Sequence, residues 1–267
     1  DSSAFKSQWD GIWDVEARRA PTGWIAEFEI PFKTLSVDPD NGTWGFNVLR
    51  SVRRRNEDGR WANAKQNRTT IDVSQAGNLH GLVGIEQGIG LDVVPGASAG
   101  FTHEHSNDRA FGNLDPSLDA FYRVTPSVTA ALTVNTDFSD APVDARQVNL
   151  SRFALFFPET RDFFLQDAGI FEFGNINTNG RPFFSRRIGL SGDGQAVGID
   201  GGIKLTGRVG DFNVGALAIR QEAYGEVEAT DLFVARGSYN VLDESTVGLI
   251  VTHGDPTSNE SNSVVGL

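Results

Sequence analysis

The chain holds no cysteine and no methionine among its 267 residues. Without cysteine there is no disulfide framework, no thiol nucleophile and no thiolate zinc site. No apolar run approaches the ~18 residues a membrane-crossing helix requires. That absence leaves crossing by β-strands open, because their lipid-facing and lumen-facing residues alternate and give little hydropathy signal. Positive charge is scarce as well: 23 Lys and Arg stand against 35 Asp and Glu, a formal charge of −12. A nucleic-acid surface needs a basic face to displace phosphate counterions, so nucleic acid is excluded as a partner. There is no G-x-S-x-G, no P-loop and no dinucleotide fingerprint running from a strand into a helix, so no cofactor is expected. Neither a Met nor a signal peptide stands at Asp1, and the chain reads as an internal piece of a longer precursor.

What is present leans toward strands. Thirty Gly, nineteen Phe and five Trp, with 39% hydrophobic residues, suit a turn-rich chain with cores of its own. In G-W-I-A-E-F-E-I-P-F, Trp24, Ala26, Phe28 and Ile30 share one face, and Pro31 stops the strand. The stretch T-W-G-F-N-V-L-R-S-V puts Trp44, Phe46, Val48, Arg50 and Val52 on one face, with a hairpin turn expected at Asp58-Gly59. The Arg run 53–55 reads as a solvated face or as partners of carboxylates. A last strand and a linker are expected within 73–85.

From about Gln87 the alternation lengthens. Leu118, Ala120, Tyr122 and Val124 alternate with Asp119, Phe121 and Arg123, and after T-P-S the rule returns in Val128, Ala130, Leu132 and Val134. Farther on, Val197, Ile199, Ile203, Leu205 and Val209 are expected on one face, opposite Asp200, Lys204, Thr206 and Arg208. Gly210-Asp211 makes a turn into Phe212, Val214, Ala216 and Ala218. Phe233, Ala235, Tyr239 and Val241, then Val247, Leu249 and Val251, continue it. Strands of about ten residues with alternately short and long connections are the pattern of an outer-membrane barrel; strands of a soluble sandwich run nearer five or six.

One stretch, 143–190, follows neither period. It carries Phe156, Phe157, Phe163, Phe164, Phe183 and Phe184 among Arg146, Arg152, Arg161, Arg181, Arg186 and Arg187 and the acids Asp144, Glu159, Asp162, Asp167 and Glu172. So aromatic a segment cannot lie in water, and so charged a one cannot face lipid or a dry core without partners. It is expected inside a wall built by the flanking strands. Arg152, Phe156, Phe157, Glu159, Arg161, Phe163, Phe164, Arg186 and Arg187 would form this plug, with Arg161 buried and paired to carboxylate and other Arg meeting lumen acids such as Asp119 and Asp200.

The run V-D-A-R-Q-V-N-L-S-R-F-A-L-F-F-P-E-T-R-D-F-F-L-Q-D-A-G-I-F-E-F-G followed by F-F-S-R-R-I-G-L, with N-T-D-F-S-D before it, resembles the bacterial family called domain of unknown function 5916. Upstream, G-W-I-A-E-F-E-I-P-F-K-T-L, W-G-F-N-V-L-R-S-V-R-R-R-N-E and W-A-N resemble the carboxy-terminal half of a family 9 carbohydrate-binding-like domain. The resemblance implies an envelope protein of a Gram-negative bacterium: a periplasmic β-sandwich, residues 1–85, on an outer-membrane-type barrel, residues 86–267. The sandwich lacks its first half, and S-N-S-V-V-G-L lacks the terminal aromatic residue of a completed barrel. The fold class expected is therefore all-β, a partial sandwich followed by antiparallel barrel strands with the Phe/Arg segment inserted.

Candidate sites follow from these readings. Trp61 and Trp13 are the candidates for stacking on a sugar, since an aromatic face matches the apolar face of a pyranose; Trp24 and Trp44, on apolar strand faces, read as core. Glu159, Asp162 and Glu172 are the carboxylates a glycosidase would draw on, although six Arg nearby make structural ion pairs the stronger explanation. His103 and His105 sit at i and i+2, but two imidazoles do not make a metal site, and none is assigned. The expected function is binding or passage of an oligo- or polysaccharide by an envelope protein in contact with outer-membrane lipid. The alternative is a secreted glycoside hydrolase carrying a carbohydrate-binding module.

Overall fold

The computed structural model describes residues 11–35, 41–62, 75–85, 88–104, 109–136, 157–174, 176, 180–242 and 245–267. The fold is all-β, and its two compact units consist mainly of residues 12–88 and 89–267.

In the first unit, β1 (Asp14–Ala20) and β2 (Gly23–Glu29) form a hairpin. Its register sets Val15 opposite Phe28 and Ala17 opposite Ala26, while Glu16 and Glu27 face each other on the other side. One face is thus apolar and the other charged, as period-2 alternation requires. Trp24, expected in a core, is 61% exposed instead. A two-stranded ribbon has no second layer of its own to bury an apolar face. Trp44 does pack, edge-on against Phe32 with centroids 5.7 Å apart.

The strands β3 (Thr43–Phe46) and β6 (Gly77–His80) pair with each other, as do β4 (Leu49–Val52) and β5 (Glu57–Arg60). The hairpin between β4 and β5 turns at 53–56 and not at Asp58-Gly59. Arg53–Arg55 make one 3-10 turn, and Asn56 closes it in the left-handed region at φ 53°. Asn tolerates that region almost as readily as Gly, which frees Asp58 and Gly59 to be strand residues.

The second unit is one antiparallel sheet of eight strands in sequence order. These are β7 (Leu91–Glu104), β8 (Arg109–Thr125), β9 (Val128–Thr136), β10 (Ile199–Val209), β11 (Phe212–Gln221), β12 (Thr230–Leu242), β13 (Ser245–His253) and β14 (Ser263–Gly266). Pro126-Ser127 and Gly210-Asp211 turn at one end of the sheet. At the other end lie the longer connections, among them residues 222–229, 254–262 and the insert between β9 and β10.

The two faces of this sheet differ sharply. On one, Leu118, Leu132, Ile203, Leu205, Phe233 and Leu249 are all exposed. On the opposite face Ala131, Leu217, Ile219, Leu232, Val234 and Ile250 join Phe163, Phe164, Phe171 and Ile188 of the insert in one buried cluster. The alternation in β10 slips once. A register shift between Ile199 and Gly201 sends Val197 and Ile199 to the covered face while Ile203, Leu205 and Val209 stay on the bare one. A one-residue bulge reverses every later side chain, so the expected single face splits in two. Asp200, at the bulge, is exposed and not among the side chains the insert covers.

Glycine makes the close approach of insert and sheet possible at Gly215 in β11, where an added Cβ would lie 2.9 Å from Ile170 and 3.0 Å from the Phe171 ring. On the bare face, a Cβ at Gly237 would meet nothing within 4 Å. Gly215→Ala is therefore expected to destabilise the second unit by about 1–3 kcal/mol, the usual cost of overpacking, and Gly237→Ala to leave it unchanged or slightly firmer. Thermal unfolding of the two variants side by side checks this; equal midpoints would mean the insert does not rest on β11.

Candidate functional site: the aromatic insert against the covered face

The described residues between 157 and 190 follow no single secondary structure. After an extended entry, one helical turn α1 (Asp162–Leu165) is followed by 3-10 turns at Ala168–Phe171 and Ser185–Arg187. So short a helix has no propensity-driven stability of its own; it is held by what it buries. Phe163 is fully buried and Phe164 nearly so, their rings edge to face at 5.0 Å.

At the entry stands a bidentate ion pair. Arg161, 4% exposed, sets Nε 2.9 Å from Oε1 and Nη2 2.9 Å from Oε2 of Glu159. Two further donors go to carbonyls: Nη1 to Ile188 at 2.9 Å and Nη2 to Ser185 at 3.0 Å. Glu159 also accepts the backbone N–H groups of Thr160 and Arg161 at 3.1 Å each. The guanidinium lies 4.2 Å from the centre of the Phe164 ring. Burial alone would raise the Glu159 carboxyl; the charge of Arg161, with hydrogen bonds from Arg161 and Ser185, overcomes it and holds the group below its ordinary 4.5. Arg186 ties the same corner from outside, donating to the Pro158 carbonyl and to Thr160 Oγ1, each at 3.1 Å.

Three strands hold the insert through long polar side chains on the covered face. From β10, Lys204 donates to the carbonyls of Phe163 and Gln166, the latter at 2.6 Å, and its ammonium lies 5.0 Å from the Phe163 ring centre. Two residues along, on the same face, Thr206 donates to Asp167 Oδ2 at 2.8 Å. From β11, Gln221 accepts the Gly189 N–H at 2.8 Å and donates to the Pro256 carbonyl at 2.7 Å, linking the insert to the β13–β14 connection. From β12, Arg236 donates to the Glu172 carbonyl at 3.4 Å and lies 5.3 Å from the Phe173 ring centre. The β13–β14 connection is itself braced at Asp255. Burial would raise that carboxyl, but hydrogen bonds from Thr257 and Ser258 and the charge of Arg187 lower it.

The residues singled out from sequence fall as follows. Glu159, Arg161, Phe163 and Phe164 are buried together; Phe157 and Arg186 are half-buried and Arg187 is exposed. Arg152 and Phe156 lie outside the described residues, as do Asp144, Arg146 and His105. Asp119 accepts a hydrogen bond from Thr133 Oγ1 at 2.5 Å. Of the carboxylates considered for hydrolysis, Glu159 and Glu172 line one cavity of about 160 Å³, and Asp162 is exposed at the start of α1. Glu159 is held as a carboxylate by Arg161 at both oxygens, the wrong state for a proton donor. Among the described residues, no three His, Asp or Glu gather as metal ligands. Trp13 is 52% exposed and stacks on Phe28 at 6.1 Å; Trp61 is 59% exposed, edge-on to Phe46 at 5.6 Å, its ring lying over Gly77. Each Trp is a separate surface ring with one Phe beneath it. The anchors Gln221 and Arg236 escape a sequence reading, because their partners are backbone groups.

An antiparallel sheet of consecutive strands, one face roofed by its own Phe- and Arg-rich insert, is the class of protein these features define. Residues 88–201, running from the approach to β7 through the insert into β10, match the family model described as Domain of unknown function (DUF5916). No curated protein and no solved structure matches the chain.

Removing Arg161 would leave a buried carboxylate unpaired, so Arg161→Ala is expected to cost about 3–5 kcal/mol. The Glu159 carboxyl is lowered in the folded state. It therefore contributes stability that is complete above its unfolded pKa and lost as pH falls through the folded value. Acid unfolding is expected to be steeper below about pH 4.5 in the unaltered protein than in Glu159→Gln; parallel curves would show the pair to be without effect.

Proposed function

We propose that the eight-stranded sheet is part of the wall of an outer-membrane-type β-barrel, that the insert occupies its lumen, and that the protein binds or passes saccharide-type solutes at the envelope of a Gram-negative bacterium. The observation that carries this reading is the bare face of the sheet. From β8 to β13 the described residues of that face are mostly Leu, Val, Ile, Ala, Phe and Tyr; the polar exceptions lie toward the end bearing the long connections, where Arg220 and Asp231 pair at 3.0 Å and His253 stands opposite Phe233. A soluble protein does not leave so wide an apolar surface in water. A lipid-facing wall has this composition, with polar residues kept to the rims and aromatic residues near the interface. Phe212 and Tyr239 pack at 4.6 Å on the bare face near the short-turn end. In such barrels the short turns face the periplasm and the longer loops face outward, and the chain enters β7 at the short-turn end. The upstream unit, with its exposed Trp13 and Trp61, would then be a periplasmic carbohydrate-binding-like module.

The hydrolase alternative has no comparable support, since Glu159 is tied up in its ion pair and Asp162 faces away from the cavity that Glu159 and Glu172 share.

Fractionation of cells expressing the full-length gene tests the proposal. Recovery in the outer membrane, released only by detergent, is expected; recovery in the soluble fraction without detergent would overturn it. As a second check, Leu205→Arg on the bare face is expected to cost about 2–4 kcal/mol if that position lies near the bilayer midplane. The loss would be read as a smaller folded, heat-modifiable fraction after refolding into lipid vesicles, with Leu205→Ala close to the unaltered protein. Equal folding of both variants would argue that this face does not meet lipid.

A further inference from the structure

The cavity of about 160 Å³ within the insert has a chemistry of its own. Its lining includes the phenyl rings of Phe164, Phe171, Phe173, Phe183 and Phe184 together with Leu217 of β11. Two of these rings, Phe171 and Phe183, lean on each other at 5.6 Å. Most of the polar groups around them are already engaged. Glu159 is held at both oxygens by Arg161, Lys204 is capped by two carbonyls, the Ser185 carbonyl takes Arg161, and Arg181 donates from Nε to the Ile176 carbonyl at 2.8 Å.

A pyranose placed here would strip water from several hydroxyls and find few groups able to replace it, and desolvated hydroxyls without partners oppose binding. A phenyl ring brings no such demand. It gains edge-to-face and offset contacts with the rings around it. The size also fits: an apolar cavity of about 150 Å³ is large enough to take benzene.

We infer that this cavity is a binding site for a single six-membered aromatic ring carrying no more than one polar substituent, and that it rejects sugars of the same ring size. The inference goes beyond the saccharide reading of the envelope protein and does not depend on it. The ring would enter among side chains of the insert, where the half-buried Arg181 and Glu172 also line the cavity.

The test uses the full chain purified in detergent and 4-fluorophenol observed by fluorine NMR. A saturable shift corresponding to one ligand per chain is expected, unaffected by excess methyl β-glucoside. Ala168 lines the cavity, so Ala168→Leu should weaken binding at least tenfold, while partition of the probe into micelles, which the substitution cannot change, stays as before. Should Ala168→Leu fold poorly, nuclear Overhauser contacts between the probe and selectively labelled phenylalanine rings of the unaltered chain provide the second readout. Absence of saturable binding, equal binding by a folded Ala168→Leu, displacement by the glucoside, or absence of contacts to phenylalanine would each overturn the site. Since the measurement does not depend on where the protein resides, its failure and a failure of the outer-membrane reading are separately visible.

Discussion

A lysine in the middle of a β-strand can be buried only where something accepts its protons. Lys204 stands 4% exposed on the covered face of β10, and the acceptors are carbonyl oxygens of Phe163 and Gln166, groups that a single helical turn leaves unpaired at its end. Sheet and insert therefore need each other: the ammonium would be stranded without the turn, and the turn would lose its partner without the ammonium. Thr206, Gln221 and Arg236 repeat the arrangement on β10, β11 and β12, each a polar side chain reaching into the insert. Around these contacts the Phe rings pack on the covered face and line the cavity between them. The insert is thus a folded part of the sheet's own core, and its irregular backbone is tolerable because side chains of the sheet satisfy what regular structure would have satisfied.

The same arrangement explains why the sheet has one bare face. The polar side chains that anchor the insert, Lys204, Thr206, Gln221 and Arg236, point one way, and alternation leaves mostly small and branched apolar residues to point the other. An ordinary sandwich would cover such a face with a second sheet. Among the described residues nothing covers it, and β7 and β14 remain the two edges of the sheet. A bilayer is the solvent in which an uncovered apolar face costs nothing, which is the physical basis of the membrane proposal.

How far this was legible in the sequence depends on the kind of signal. The strands β8, β9, β11, β12 and β13 could be read because alternation keeps its phase at Leu118 to Tyr122, Val128 to Val134, Phe212 to Ala218, Phe233 to Tyr239 and Val247 to Val251, and a side chain's parity names its face. That Arg161 is buried and paired to a carboxylate was legible because Glu159 and Asp162 flank it; the choice of Glu159 over the exposed Asp162 was not. The bulge in β10 was not: it lies in Gly198-Ile199-Asp200-Gly201-Gly202, where glycines carry no face information and the phase can slip unseen. The turn at Asn56 was misplaced because Asp58-Gly59 offers an equally good turn on local chemistry alone. The anchors of the insert were hidden for a different reason. Gln221, Lys204 and Arg236 bind backbone atoms, and any residue can present a carbonyl, so no partner pattern exists to be found.

The absence of native cysteine allows the two-faced wall to be probed directly, since each introduced cysteine is unique. Spin labels placed one at a time at Leu132, Ile203, Leu205 and Ala216 on the bare face, and at Thr133 and Thr206 on the covered face, report their surroundings in lipid vesicles. The expected result is that the first four are relaxed by oxygen, which concentrates in lipid, and not by a water-soluble nickel chelate, while the last two are shielded from both. Bare-face labels open to the nickel chelate, or covered-face labels open to either agent, would contradict a wall that meets lipid on one side and its own insert on the other.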